Sequence, residues 1–445
     1  MTVQAPTPGR ASSASATRDR LNGLTILRYA HASGSTGGIE QFLLNINRAL
    51  GERNQFTTVQ MEVSVERGRL AETTEHHGGC RLIKIPLYVD AAGRQASISG
   101  KSVTAGSKAK SWLIGRLLCA RPVYGVFTRH YVRRHRVPRR PGEPVGAGVQ
   151  ARELMKRFGV DLIVIHSCGG ADASEVIAEA NLARVPVILV HHFANNRLAG
   201  LSLSQQAANA AGLLGFYDRD VPAHLRPFFH KIYDGIDTEF YRPELARPLP
   251  QKYSDPVLFL LSRITPAKGQ ADLLRVASLL KKRGRPTTVV LAGRVDSPAY
   301  EQELRDLADR EGLARQVEFV GEIDAQRLRD WYAAARVLVF PTRHYEATPR
   351  VLLEGQCMGL PPVVYDVGGT PESLLPGQSG VLVPLGNVRR MADAVETLLK
   401  NDSLHLNMSR AGRPFVVSRF NLADWAQQHE EYYLEILHRH RNGAA

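Results

Sequence analysis

The sequence predicts an α/β protein of two doubly wound parallel-sheet domains facing a cleft. Three observations carry this prediction. Short, fully apolar runs of strand length alternate with stretches of helical spacing, the pattern of parallel sheets covered on both faces. The alternation occurs twice along the 445 residues, a length that suits two or three domains. A turn-rich join, IYDGIDTEFYRPE (232–244), punctuated by Gly and Pro, separates the two rounds.

In chain order, MTVQAPTPGRASSASATRDR is small and polar with no apolar segment, so residues 1–22 read as a disordered tail rather than a secretory signal. LTILRYA (24–30) is the first strand. HASGSTGG follows as a glycine turn, then a helix with Ile39, Phe42, Leu43 and Ile46 on one face. Further strands are predicted at 56–63, 81–87, 161–167 and 186–192. Residues 91–150 interrupt the rhythm with Gly, Ser and Arg and read as an insertion. The first domain thus spans 23–236. The second, 237–420, opens with the strand PVLFLLS (256–262) and a helix presenting Leu273, Leu274, Ala277 and Leu280. Lys281, Lys282, Arg283 and Gly284 close that helix as its dipole and C-cap favour. TTVVLAG, QVEFVG, ARVLVFPT and PPVVYD continue the alternation, and residues 421–445 form an amphipathic helix and tail.

Composition narrows the function classes. An apolar content of 44% and a charged content of 22% are ordinary for a globular chain, and no apolar run approaches the ~20 residues of a membrane span. Four dispersed cysteines without a CxxC pair fit a reducing cytoplasm and exclude a disulfide framework. There is no HExxH or GxxxxGK[ST], so the zinc-peptidase and P-loop signatures are absent, and no metal site is expected. The net charge of +14 concentrates in 91–160, where fifteen Lys and Arg face only Glu143 and Glu153. RHYVRRHRVPRR (129–140) is its centre. A solvated face, an anionic membrane surface and an anionic acceptor all explain it. Nucleic acid is not expected, because zinc-finger spacing and RNP-like aromatics are lacking.

The chemistry concentrates at strand ends. Gly34, Gly37 and Gly38 follow the first strand and precede a helix, where a backbone can approach phosphate closely; G-x-x-G-G is not the dinucleotide-dehydrogenase spacing. Arg263 and Lys268 follow the strand 256–262, a fork and a point charge within reach of an anion. In HYEATPRVLLEGQCMGLPP, Thr348 is expected to cap a helix with Pro349 at its first position. That leaves Glu346 on the loop and puts Glu354 in the second turn. GGTPES (368–373) repeats the pattern of glycines before a proline-started helix. Asp218-Arg219-Asp220 is a lone DxD and reads as surface.

The ordered set RITPAKG, LAGR, VEFVG, E-x7-E within YEATPRVLLEGQCMGLPPVV, DVGGTPES and SGVLVP resembles the donor domain of family 4 retaining glycosyltransferases (glycosyl transferases group 1), as do GGIEQFLLNINRAL and YDGIDTEFYRP. The resemblance runs from about residue 24 to 435 and is strongest over 256–400. It implies the GT-B architecture, two Rossmann-like domains with the acceptor bound by the first and the donor by the second. It further implies that Arg263 and Lys268 bind the donor diphosphate, that Glu346 contacts the transferred sugar and that Glu354 takes the ribose hydroxyls. Val320 and Gly321 would hold the base. Arg350 and Val351 would present the helix start to phosphate, and Gly37 and Gly38 would approach it from the other domain. His192 matches a position near the reacting sugar, with His191 as its competitor. Ala347, Pro349 and Asp234 depart from the common pattern.

The expected activity is therefore retaining, metal-independent sugar transfer to a saccharide, lipid-linked or small-molecule hydroxyl. The nucleotide-diphosphate sugar would be a substrate, with no resident cofactor. The expected setting is the cytoplasm, peripheral to the inner face of the membrane through residues 91–150. The competing readings are a sugar-nucleotide epimerase of the same architecture and a non-catalytic scaffold that binds anionic surfaces.

Overall fold

The computed structural model describes residues 20–30, 38–64, 72–88, 147–166, 171–192, 201–219, 221, 223–249 and 253–443. Two sheets organise them. The first contains β1 (Thr25–Ala30), β2 (Phe56–Ser64), β3 (Thr73–His77), β4 (Cys80–Tyr88), β5 (Leu162–Ile165), β6 (Val187–His191), β7 (Gly212–Gly215) and β8 (Phe229–Lys231) in the order β3-β4-β2-β1-β5-β6-β7-β8. All pairings are parallel except β3 on β4. The second contains β9 (Val257–Leu261), β10 (Thr288–Ala292), β11 (Val317–Gly321), β12 (Val337–Phe340), β13 (Pro362–Tyr365) and β14 (Val381–Val383), all parallel, in the order β11-β10-β9-β12-β13-β14. Continuous burial of the central strands explains their unbroken apolar runs: every residue of β5, β10, β12 and β13 is buried.

In each sheet the strand order reverses once, between β1 and β5 and between β9 and β12. Loops leaving the carboxyl ends of such neighbours diverge to opposite faces and open a crevice, which is where ligands bind in this architecture.

The chain crosses between domains twice, side by side. Ile236 donates its N–H to Phe420 O at 2.8 Å and bridges to Asn421. Gly235 is required there, because a Cβ would lie 2.7 Å from Trp425 Cβ. The helix Leu422–Arg441, capped by Asn421 Oδ1 accepting from Asp424 N at 2.8 Å, then returns to the first domain. Its Trp425, Tyr432, Tyr433, Ile436 and Leu437 share one core with Ile26, Phe42, Val164 and Leu214.

Four local expectations are corrected. Leu21, placed in the tail of 1–22, is fully buried and its N–H donates to Asn54 Oδ1 at 3.0 Å, so it belongs to the first domain. Ala147–Gln150, expected to close the insertion, begin the helix Ala147–Phe158, where Ala147 and Gly148 are buried; residues 91–146 lie outside the described residues. Pro349 is itself the cap (φ −67°, ψ 105°) and the helix starts at Arg350, since no Thr348 side-chain cap forms. GGTPES yields only a four-residue 3-10 turn, Thr370–Ser373.

Candidate active site

The loops after β9 and β12 meet at the second sheet's reversal point. Lys268 ends a single 3-10 turn, Pro266–Lys268, and Gly269 follows in the left-handed region at φ 75°. A Cβ at Gly269 would sit 1.9 Å from Pro341 O, so only glycine lets these two loops touch. Across that contact Lys268 Nζ forms an ion pair with Glu346 Oε1, to which Thr342 Oγ1 also donates at 3.3 Å. Both charged side chains are largely shielded, with 13% and 18% exposure. Arg263 is more open and pairs through Nη1 with Asp296 Oδ2 at 2.7 Å, the same carboxylate that holds Arg294. Burial depresses the His344 imidazole; Lys268 and Arg263 push the same way and Glu346 opposes them, so one field joins these groups. Gly369 N donates to Glu346 O at 2.8 Å and fixes the loop from the β13 side.

Glu354 projects from the second turn of Arg350–Cys357 and is 6% exposed. Tyr332 OH donates to its Oε2 at 3.1 Å, and Arg350 Nε lies 3.6 Å from its Oε1. Arg350 also reaches the crossing segment: Nη1 donates to Gly235 O at 2.9 Å and to Asp234 Oδ2 at 3.4 Å. Asp234, at 8% exposure, leaves Oδ1 buried without a hydrogen-bond partner among the described residues. Two carboxylates thus share one guanidinium. Burial pushes both Asp234 and Glu354 above the usual carboxylate range, and Arg350 offsets this only in part. The sequence did not reveal this triad, whose members lie 116 and 4 residues apart.

Val320 and Gly321 end β11; Val320 is half-buried, and Gly321 (φ 70°) donates nothing to packing, since a Cβ there would meet no atom within 4 Å. Its carbonyl accepts from Gly293 N at 2.8 Å. Val351 is partly buried on the second domain's core.

The first domain contributes the opposite side. Gly38 begins the helix Gly38–Gly51 directly after the β1 loop, while Gly34 and Gly37 lie outside the described residues. His192 follows β6 and packs edge-on to Phe42, with ring centroids 5.0 Å apart. Its Nε2 lies 3.0 Å from Nδ1 of His166, the residue that follows β5. His191 ends β6 and is not in this contact. Ala347, beside Glu346, packs on the first-domain cluster that contains Phe42 and Trp425, so the Glu346 loop sits at the domain boundary. Arg219 to Asp366 at 2.5 Å and Tyr233 OH to Glu372 at 2.8 Å also cross that boundary. Within the DxD, Asp218 pairs with Lys231 at 3.1 Å, and Asp220 lies outside the described residues. Among the described residues no three His, Cys, Asp or Glu side chains gather as a metal-binding set, and no helix is long and apolar enough to cross a membrane.

Residues 242–415 match the sequence profile of the family described as glycosyl transferases group 1. A GDP-mannose-dependent alpha-(1-6)-phosphatidylinositol monomannoside mannosyltransferase of Mycobacterium tuberculosis is 31% identical over 197 residues, covering 42% of this chain and 50% of the relative. An alpha-D-kanosaminyltransferase of Streptomyces kanamyceticus is 31% identical over 203 residues, 45% of this chain and 50% of the relative. The chain therefore spans about half the length of the curated relatives it matches. Among solved structures, Anabaena HepE in complex with UDP and glucose aligns over 92% of this chain and 99% of its own at a TM-score of 0.64 and 18% identity. A glycosyltransferase from Rickettsia africae aligns over 93% and 99% at 0.65 and 16% identity. These likenesses establish the fold. The chain has the GT-B fold, and residues 242–415 of its second domain are similar to the glycosyl transferases group 1 family.

Proposed function

We propose that this chain moves a sugar from a nucleotide-diphosphate donor to a hydroxyl of a saccharide, lipid-linked or small-molecule acceptor, with retention at the anomeric carbon, in polysaccharide or glycolipid biosynthesis. The observation that carries the reading is the Lys268–Glu346 pair across the β9/β12 reversal point, with Arg263 beside it. As the bond from the anomeric carbon to the diphosphate oxygen breaks, negative charge grows on the leaving group. Lys268 and Arg263 stabilise it there, a role that needs charge placed beforehand rather than a nucleophile. The acceptor oxygen bonds to the same face of the anomeric carbon, and its proton passes to the departing phosphate oxygen. This electrostatic scheme supports a metal-independent reaction.

Donor binding then exchanges partners. The diphosphate takes Lys268 and Arg263, releasing Glu346 toward the hydroxyls of the sugar. Glu354 retains acceptor capacity beyond its bonds to Tyr332, Tyr241 and Arg350, since an ionised carboxylate has about four lone-pair sites, and it takes the ribose. Val320 and Gly321 hold the base. The start of the helix at Arg350 and Val351, with Gly37 and Gly38 opposite, approaches the phosphates, and His192 lies near the sugar. The names of the relatives, which transfer mannosyl or kanosaminyl groups, and the UDP and glucose bound by the Anabaena protein support this class of donor. The proposed cytoplasmic, membrane-peripheral setting and the meeting with an anionic acceptor rest on the charge of 91–150.

Lys268→Ala and Arg263→Ala should each lower transfer from sugar nucleotides by ~100-fold or more, the scale of losing one aimed electrostatic group, with thermal unfolding unchanged. Near-normal turnover in both variants refutes the assignment. Incubating donor without acceptor and finding an altered sugar would instead favour an epimerase.

A further inference from the structure

Arg28 sits on β1 at the centre of the first sheet and is fully buried. Its bonded partners among the described residues are all neutral. Nε donates to Asn47 Oδ1 at 3.1 Å, and Nη1 lies 3.3 Å from both Tyr433 Oη and His166 Nε2. Among the described residues, Nη2 is buried without a hydrogen-bond partner. A buried cation among neutral groups is costly, and a neutral side chain would fill the same space. The charge therefore calls for a reason beyond packing.

The direction of the hydrogen bonds supplies it. A guanidinium has five N–H donors, no acceptor, and does not deprotonate in proteins. His166 Nε2 must therefore accept from Arg28, and the proton of neutral His166 resides on Nδ1. That Nδ1–H points at His192 Nε2, 3.0 Å away, which must accept in turn. The proton of His192 is thereby confined to Nδ1. A doubly protonated ring would set N–H against N–H in this chain, and burial depresses both imidazoles, with His192 acting on His166, and His191 and His429 helping to bring His192 down to about 3. A hydroxyl or amide in place of Arg28 could turn and accept, and the chain could reverse. Arginine cannot.

We propose that Arg28 is a positioning residue that acts through His166 to hold His192 in its Nδ1–H tautomer, so that His192 meets the donor sugar as a hydrogen-bond donor and not as an acid or base. The contact with the donor rests on the glycosyltransferase reading; the tautomer chain does not. Phe42 and Phe216, themselves in ring contact at 5.5 Å, both pack on the ring of His192 at centroid distances of 5.0 and 5.1 Å and restrain its orientation.

The test uses the full chain labelled with 15N-histidine. Long-range 1H–15N spectra are recorded between about pH 5 and 8, the range in which an ordinary histidine titrates, and His192→Gln and His166→Gln identify the two rings. The expected result is a single Nδ1–H tautomer for both, unchanged across that range. Arg28→Met should introduce the Nε2–H tautomer at His166 and His192. It should also lower kcat by about tenfold, the loss of one well-aimed hydrogen bond, with the donor KM nearly unchanged. A proton on Nε2 of His192 in the unaltered protein overturns the proposal, as does an Arg28→Met spectrum identical to the parent's. Should Arg28→Met fail to fold, the parent spectrum alone decides. Should no sugar nucleotide be turned over by any form, the transferase reading fails and the spectra still judge the relay.

Discussion

The triad of Asp234, Arg350 and Glu354 makes an asymmetric prediction. Replacing Arg350 with Leu leaves two buried carboxylates without the only cation that pairs with them among the described residues. Removing one partner of a buried ionic cluster costs about 3–5 kcal/mol, and at roughly 2–4 °C per kcal/mol for a domain of this size the melting temperature of the second domain should fall by about 6–20 °C. Replacing Asp234 with Asn should act differently. It loses an ion pair at 3.4 Å. It also removes a buried charge, one oxygen of which has no hydrogen-bond partner among the described residues, and leaves one carboxylate for one guanidinium. These changes oppose each other, and the net effect should stay within about 1 kcal/mol of zero. The double variant should be more stable than Arg350→Leu alone. The pH dependence separates the cases further. Asp234 has a raised folded pKa, so it favours the folded state below the unfolded carboxylate range and loses that advantage as pH rises through the folded value. Asp234→Asn should flatten that decline. Calorimetry between about pH 4 and 8 measures all of this. An Arg350→Leu protein as stable as the parent, or an Asp234→Asn loss as large as that of Arg350→Leu, would refute the reasoning.

Two further outcomes follow from local geometry. Gly269→Ala combines a φ of 75° with a Cβ 1.9 Å from Pro341 O; it should cost more than the ~1–2 kcal/mol of the left-handed region alone, displace Lys268, and raise the donor KM in steady-state assays. The Cys357 thiol is fully buried and pushed up to about 12 by that burial; it should resist alkylation at about pH 8 in the folded chain and react once urea unfolds it, as mass spectrometry would report.

Strands whose residues are buried along their whole length announce themselves as apolar runs, and β5, β10, β12 and β13 were legible for that reason. β3 was not, because TTEHH is a polar edge strand that lies antiparallel on β4. β7, with only GLLG, is too short for a pattern. At the candidate site, Arg263, Lys268 and Glu346 were singled out because they lie on loops that leave apolar strands, and the structure brings Lys268 and Glu346 into an ion pair. The pairing of Arg350 with Asp234 joins residues from the two ends of a domain crossing, and no local spacing encodes it. Arg28 escaped notice inside LTILRYA, where a single charge in an apolar strand passes for an edge residue. His166 was read as the end of a strand, since its partner His192 comes from a different one.

The return of the last helix to the first domain has a consequence for biosynthesis. Trp425, Tyr433, Ile436 and Leu437 belong to a core whose other members, from Leu21 to Ile232, leave the ribosome about two hundred to four hundred positions earlier, and each buried side chain of this kind is worth about 1.5–3 kcal/mol. The first domain to be translated therefore waits, one apolar face uncovered, until Leu422–Arg441 has been made. The second domain, whose core draws on residues 236–420 alone, can close before it, reversing the usual order in which domains mature on the nascent chain.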